Sequence, residues 1–266
     1  MSFYDVNGNI LLNTDEIDFR QNMEITQSFD IEHSTNYTLI RVFKKKTDGS
    51  LQYPFVYAPT GSQAGTKSTL DMNTDDGWFL AINGGLFRSA TGIPWGILIE
   101  NGVVIQQEDT SEQGYKPLTI DSNGDLDYVL GNASASTLVA NGIKSAVCGW
   151  YPLVVDYESI IDSSQYSSQE TYGQRQIIGQ FGNGDYAILT LEGRGYDNST
   201  GFSMPDAAEL CVNLGMKFAY SLDGGGSTET VLGKKQINTI YENTTGRVVT
   251  TYIVFNGKNT FEVPNG

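Results

Sequence analysis

An apolar run of β-forming residues, 216–222, is cut off by Asp223 and three consecutive glycines, Gly224, Gly225 and Gly226, before Ser227 and Thr228. Glycine loses more conformational freedom on ordering than any other residue, so a triplet ending a buried strand needs a physical reason. One reason is close approach of bare backbone to a ligand, with N–H groups aimed at an anion. The other is a sharp turn between two strands, the ordinary meaning of such punctuation. The stretch taken alone leaves both open. It is not a P-loop, because no Gly-Lys-Ser/Thr follows at the required spacing.

The pattern recurs upstream, where the apolar run 78–82 ends in Asn83-Gly84-Gly85. Residues 37–43 read as the first strand, followed by a solvated Lys44-Lys45-Lys46. Asn101-Gly102 joins two apolar runs, the strongest short signal for a hairpin. Residues 117–120 and 126–130 flank a second hairpin at 121–125. Asp121, Asn123 and Asp125 alternate as in a calcium loop, but Gly124 is out of place and no Glu closes it. Residues 145–155 read as a buried strand interrupted at Gly149, residues 159–172 as an exposed Ser- and Gln-rich loop, and Asn183-Gly184 as a turn between strands 175–179 and 186–191. The one clear helix is 205–214, with Ser203 to cap it, Pro205 in its first turn and Gly215 to end it. Final strands are expected over 228–232 and 247–255. Many short strands and little helix predict an α+β fold with a mostly antiparallel or mixed sheet. The expected organisation is an irregular N-terminal arm, residues 1–35, and a single domain over 36–266.

Charge narrows the partners. Sixteen Lys+Arg against 31 Asp+Glu give a formal charge of −15, which argues against nucleic acid and anionic membrane. The N-terminus lacks a signal-peptide pattern and no run reaches transmembrane length, so a soluble chain made in the cytoplasm is expected. The single histidine, His33, has polar neighbours and reads as a surface residue, leaving catalysis to carboxylates, arginine, hydroxyls and backbone. Cys148 and Cys211 form neither a disulfide framework nor a zinc spacing.

Taken in order, Ala81-Ile82-Asn83-Gly84-Gly85-Leu86-Phe87, Gly92-Ile93-Pro94-Trp95-Gly96, Arg175-Gln176-Ile177-Ile178-Gly179 and Leu222-Asp223-Gly224-Gly225-Gly226-Ser227 resemble the motifs of the phosphodiester glycosidase family. The resemblance runs from about residue 37 to 256, and the Asp-Gly-Gly-Gly-Ser motif is its most specific part. One departure stands out: Glu192-Gly193-Arg194 occupies the place of an expected Asp-Gly-Arg.

The resemblance implies hydrolysis of a small-molecule or glycan sugar-1-phosphodiester to free sugar and a phosphomonoester. It implies Asp223 as acid/base or holder of a nucleophile, Glu192 as second carboxylate, and Arg175 and Arg247 as phosphate ligands. Gly224, Gly225, Gly226, Ser227 and Thr228 are then expected to cradle the anion, with Asn83, Gly84 and Gly85 on the sugar side. The chemistry leaves room for a divalent cation without identifying its ligands. A cytoplasmic or virion-associated setting fits the missing signal. The alternative is a non-catalytic glycan-binding or structural module, such as a phage tail component, that keeps the fold.

Overall fold

A computed structural model describes residues 2–4, 10–13, 23–76, 78–161, 171–195, 198–239 and 246–255. The chain begins with β1 (Ser2–Tyr4), β2 (Ile10–Asn13), β3 (Met23–Asp30), β4 (Thr35–Val42), β5 (Phe55–Tyr57), α1 (Thr69–Asp76) and β6 (Leu80–Asn83). It continues with β7 (Leu98–Glu100), β8 (Val103–Gln106), β9 (Leu118–Asp121), β10 (Leu126–Tyr128), α2 (Ala135–Ala140), β11 (Ile143–Val147), β12 (Tyr151–Val155) and β13 (Glu158–Ser159). It ends with β14 (Arg175–Phe181), β15 (Tyr186–Leu191), α3 (Met204–Asn213), β16 (Met216–Ser221), β17 (Thr230–Leu232), β18 (Lys235–Gln236) and β19 (Tyr252–Phe255).

Seven strands make the central sheet, in the order β13-β12-β16-β14-β15-β4-β3. Two five-stranded sheets accompany it, β10-β9-β11-β7-β8 and β18-β17-β6-β19-β5. Every strand pairing among the described residues is antiparallel. The fold is the α+β, antiparallel type that the sequence predicts.

The continuous apolar runs of β14 and β15 are explained by layering. Side chains alternate across a strand. Ile177, Ala187, Leu189 and Leu191 enter one core with Met204, Ala207, Ala208 and Cys211 of α3. Ile178, Tyr186 and Ile188 enter a second core with Leu80, Ile82, Leu98, Leu118, Ile120 and Ile253 of the five-stranded sheets. A strand buried on both faces has no polar side to show, so its periodicity is invisible in sequence.

Both hairpins form. Asn101 and Gly102 adopt φ of 47° and 76° between β7 and β8, as a two-residue turn matched to strand twist requires. At 121–125 the Asp121 carboxylate accepts the N–H groups of Asn123 and Asp125, each at 2.8 Å. The acidic alternation there is spent on closing a turn. α3 starts as expected, with Ser203 accepting the Asp206 N–H at 3.2 Å.

Four expectations are corrected. Residues 23–30, read as part of an irregular arm, form β3 and pair with β4 along their whole length. Only Met23 and Ile25 of β3 contribute to the core, too faint an apolar pattern to read. The strand read over 145–155 is two strands in different sheets, because the chain crosses over at Cys148-Gly149. The last strand begins at Tyr252 and not at Arg247, which lies in an exposed segment before it. A short helix, α2, capped by Ser134, was not expected. The expected turn at residues 5–9 and most of the Ser- and Gln-rich loop lie outside the described residues.

Candidate active site

The two glycine-terminated strands meet. β16 ends at Ser221 in the seven-stranded sheet, and β6 ends at Asn83 in a five-stranded one. The Asn83 side-chain amide donates to the Asp223 carbonyl at 2.8 Å, and the Asp223 N–H donates to the Gly84 carbonyl at 3.1 Å. Asn83 is fully buried, and its Oδ1 accepts the Glu229 N–H at 3.1 Å. It therefore clamps two chain segments. Gly84 and Gly85 allow this convergence: a Cβ on Gly84 would lie 2.5 Å from the Thr251 hydroxyl, and one on Gly85 would run into the Cys148 carbonyl.

Each glycine of the triplet has its own close neighbour. A Cβ on Gly224 would lie 2.8 Å from the Gln174 carbonyl oxygen. One on Gly225 would lie 2.9 Å from Arg194 Nη2, and one on Gly226 would lie 2.5 Å from Arg247 Nη2. Two exposed arginines thus rest directly on the turn. The N–H groups of the turn are mostly engaged within the protein. Gly224 bonds Asp223 Oδ1 at 2.9 Å, Gly225 bonds the Gln174 carbonyl at 2.9 Å, and Ser227 and Thr228 close a 3-10 turn on Gly224 and Gly225. The expected backbone cradle is corrected to this extent: most of these N–H groups are already bonded within the protein, and the triplet makes room for two guanidinium groups.

Asp223 is half-buried at the head of this turn. Burial pushes its carboxyl up to about 6, against the opposing pull of the Ser227 hydroxyl, the Gly224 N–H and Arg247. A second carboxylate with a raised pKa, Glu229, lies on the other side of Asn83. Burial pushes it up to about 7, although the backbone and hydroxyl of Thr69 oppose the shift. Glu229 Oε2 accepts the Thr69 N–H at 2.7 Å at the start of α1, and Oε1 has no hydrogen-bond partner among the described residues. A carboxylate there complements the helix dipole. Glu229 escapes a motif-based search because nothing local distinguishes it from a strand-end charge.

Other expected site residues take different places. Arg175 is buried, its Nε donates to the Phe202 carbonyl at 3.0 Å, and its Nη2 bonds the Thr171 carbonyl. Burial, with the nearby Arg194 charge, pushes its pKa down to about 10. It ties backbone together behind the turn, whereas Arg194 lies against Gly225 on the turn itself. Glu192 is also buried, with Oε2 accepting from Gln174 at 3.2 Å and Oε1 from the Thr239 N–H at 2.9 Å. It holds Gln174, which in turn holds Gly225. Ser227 and Thr228 are buried beneath the turn. Among the described residues no three His, Cys, Asp or Glu side chains cluster as metal ligands. A cleft of about 430 Å³ is lined by Asp125, Asp156, Gln180 and Lys217, at the opposite end of β16 from Asp223.

The sequence profile of the phosphodiester glycosidase family matches residues 76–256. The chain belongs to this family. The fold resembles the catalytic domain of zebrafish N-acetylglucosamine-1-phosphodiester alpha-N-acetylglucosaminidase, a structure auto-inhibited by its pro-peptide, with a TM-score of 0.68 and 16% identity. That similarity covers 96% of this chain and 87% of the zebrafish one. A hypothetical protein from Synechocystis matches with a TM-score of 0.64 and 14% identity, over 88% of this chain and 62% of that chain. In sequence, the chain is 29% identical over 252 residues to the SPbeta prophage-derived uncharacterized protein YomE of Bacillus subtilis, covering 86% of this chain. It spans 38% of the length of that relative. No helix among the described residues is long and apolar enough to cross a membrane.

Proposed function

We propose that this protein hydrolyses a sugar-1-phosphodiester, releasing the free sugar and a phosphomonoester. The observation that carries this reading is the meeting of Asp223, in the family's Asp-Gly-Gly-Gly-Ser motif, with two arginines that lie against Gly225 and Gly226 of the same turn. Glycoside cleavage passes through a transition state with positive charge at C1 and negative charge on the departing oxygen. Here the departing group is a phosphate. Arg194 and Arg247 supply planar, two-pronged donors suited to it, and gain strength as its charge grows.

Asp223 takes the role of general base toward the attacking water. Raised by burial to about 6, it is mostly ionised at neutral pH and basic enough to accept a proton in the transition state. Asn83 fixes the backbone of Asp223. Glu192 and Gln174 fix the turn that carries the arginines' platform. Arg175 secures the segment around Phe202. These are positioning residues. The prophage origin of YomE supports a virion-associated setting.

The test is incubation of the full chain with a panel of sugar-1-phosphodiesters, with and without chelator, following free reducing sugar and phosphomonoester together. Equal release of both supports the reading. Tight binding of a diester with no turnover would return the chain to the non-catalytic, glycan-binding alternative.

A further inference from the structure

Three aromatic rings contact one another near the ends of β6 and β16, and nothing in the hydrolysis described above uses them. Trp95, Tyr115 and Trp150 come from three separate segments and are each half-buried. The Trp95 and Tyr115 ring centroids are 6.0 Å apart at 75°, and those of Tyr115 and Trp150 are 6.0 Å apart at 90°. These are edge-to-face contacts, which fix the rings relative to one another.

The row is anchored to the site at each member. The backbone N–H of Trp150 donates to the Ser221 carbonyl at 2.8 Å, two residues before Asp223. The backbone N–H of Trp95 donates to the Leu86 carbonyl at 3.0 Å, directly after Gly84-Gly85. The Tyr115 phenol is raised by burial, then by Cys148 and by the charge of Asp223, so it lies within electrostatic reach of the carboxylate. Strand order separates this row from the arginines. β16 lies between β12 and β14. Trp150 leads into β12, whereas Gln174, beneath the glycine turn, leads into β14, and Arg194 follows β15. Asp223 thus has Trp150 on one flank and Arg194 on the other.

The rim of the aromatic flank is polar. Arg88 covers one face of Trp95, with Cζ 3.9 Å from the ring centroid, and pairs with Glu108. Glu108 also accepts the Gly96 N–H at 2.9 Å. Rings that offer an apolar surface next to a few fixed polar groups suit an amphipathic ligand. A pyranose is such a ligand, with a C–H face and an edge of hydroxyls.

We propose that Trp95, Tyr115 and Trp150 line the sugar subsite, giving an apolar wall to a pyranose whose hydroxyl edge meets Arg88 and Glu108. The assignment of the phosphate to the opposite flank rests on the phosphodiester reading; the aromatic subsite itself does not. Its occupant lies with C1 toward Asp223 and the linked phosphate toward Arg194 and Arg247.

The two flanks separate with half-ligands. Calorimetric titration of the full chain uses inorganic phosphate as one probe and the methyl α-glycosides of glucose, mannose and N-acetylglucosamine as the other. At least one glycoside is expected to bind, with affinity falling about tenfold in Trp150→Ala and Tyr115→Leu and recovering in Trp150→Phe. Phosphate binding is expected to stay unchanged in those variants and to fall in Arg247→Gln. Phosphate binding that depends on Arg247, with no glycoside binding or with glycoside binding indifferent to the row, overturns the subsite and leaves the phosphodiester reading standing. Glycoside binding that depends on the row, without phosphate binding or diester turnover, does the reverse. Should Trp150→Ala fail to fold, saturation-transfer NMR on the unaltered chain decides: saturating the indole and phenol signals must reach the glycoside C–H protons, and its failure to do so overturns the subsite.

Discussion

Replacing Asp223 by Asn is expected to cut turnover sharply and to stabilise the fold at the same time. The carboxyl is pushed from 3.8 to about 6 by burial. One pKa unit corresponds to ~1.36 kcal/mol, so ionising Asp223 in the folded protein costs roughly 3 kcal/mol relative to the unfolded chain. Partial exposure of the residue lowers this to roughly 1–2 kcal/mol. The sign follows from the raised folded pKa: the favourable contribution is complete below 3.8 and is lost as pH rises through about 6. Asn cannot ionise and escapes that loss. Its carbonyl can still accept the Gly224 N–H. Asp223→Asn should therefore melt about 2–8 °C above the parent at pH 8, with the gap nearly closed at pH 4. Turnover should fall at least ~100-fold, the lower end of what a general base contributes. Paired calorimetric melts at the two pH values, together with a diester hydrolysis assay, check both halves. A variant with wild-type turnover, or one less stable than the parent at pH 8, would refute the assignment of Asp223 as a buried base.

The pH–rate profile provides a second check: kcat/KM should rise with pH through a limb centred near 6, where Asp223 loses its proton, whereas a falling limb there would make it an acid. Gly226→Ala should fold, because the nearest atoms to its Cβ are the far end of the Arg247 side chain, yet lose about tenfold or more in kcat/KM as that guanidinium is displaced. Gly224→Ala meets the Gln174 backbone carbonyl instead, and should lower the melting temperature by several degrees, about 1–3 kcal/mol. Arg175→Lys should show mainly a stability loss of about 1–3 kcal/mol, since Nε and Nη2 tie down the Phe202 and Thr171 carbonyls. A large fall in turnover with unchanged melting would put Arg175 back on the phosphate.

Local signals carried far in this chain. Asn101-Gly102 fixed its hairpin because only certain residues accept positive φ at both turn positions. Ser203, Pro205 and Gly215 bounded α3 because capping chemistry acts within one turn. The Asp-Gly-Gly-Gly-Ser stretch marked the site because three glycines in an ordered strand end must answer to some close neighbour. What that neighbour is could not be read locally. The triplet makes room for Arg194, from the loop after β15, and Arg247, from the segment before β19. It was equally beyond local reading that Arg175 and Glu192 would be enclosed, or that Glu229 would sit across Asn83 from Asp223. Turns and caps depend on a residue's own dihedrals and its nearest neighbours, and these are written in the sequence. Whether a charge braces the backbone or stays exposed depends on which distant strands end beside it, and here that is decided only where the seven-stranded sheet and a five-stranded sheet converge at Asn83 and Asp223.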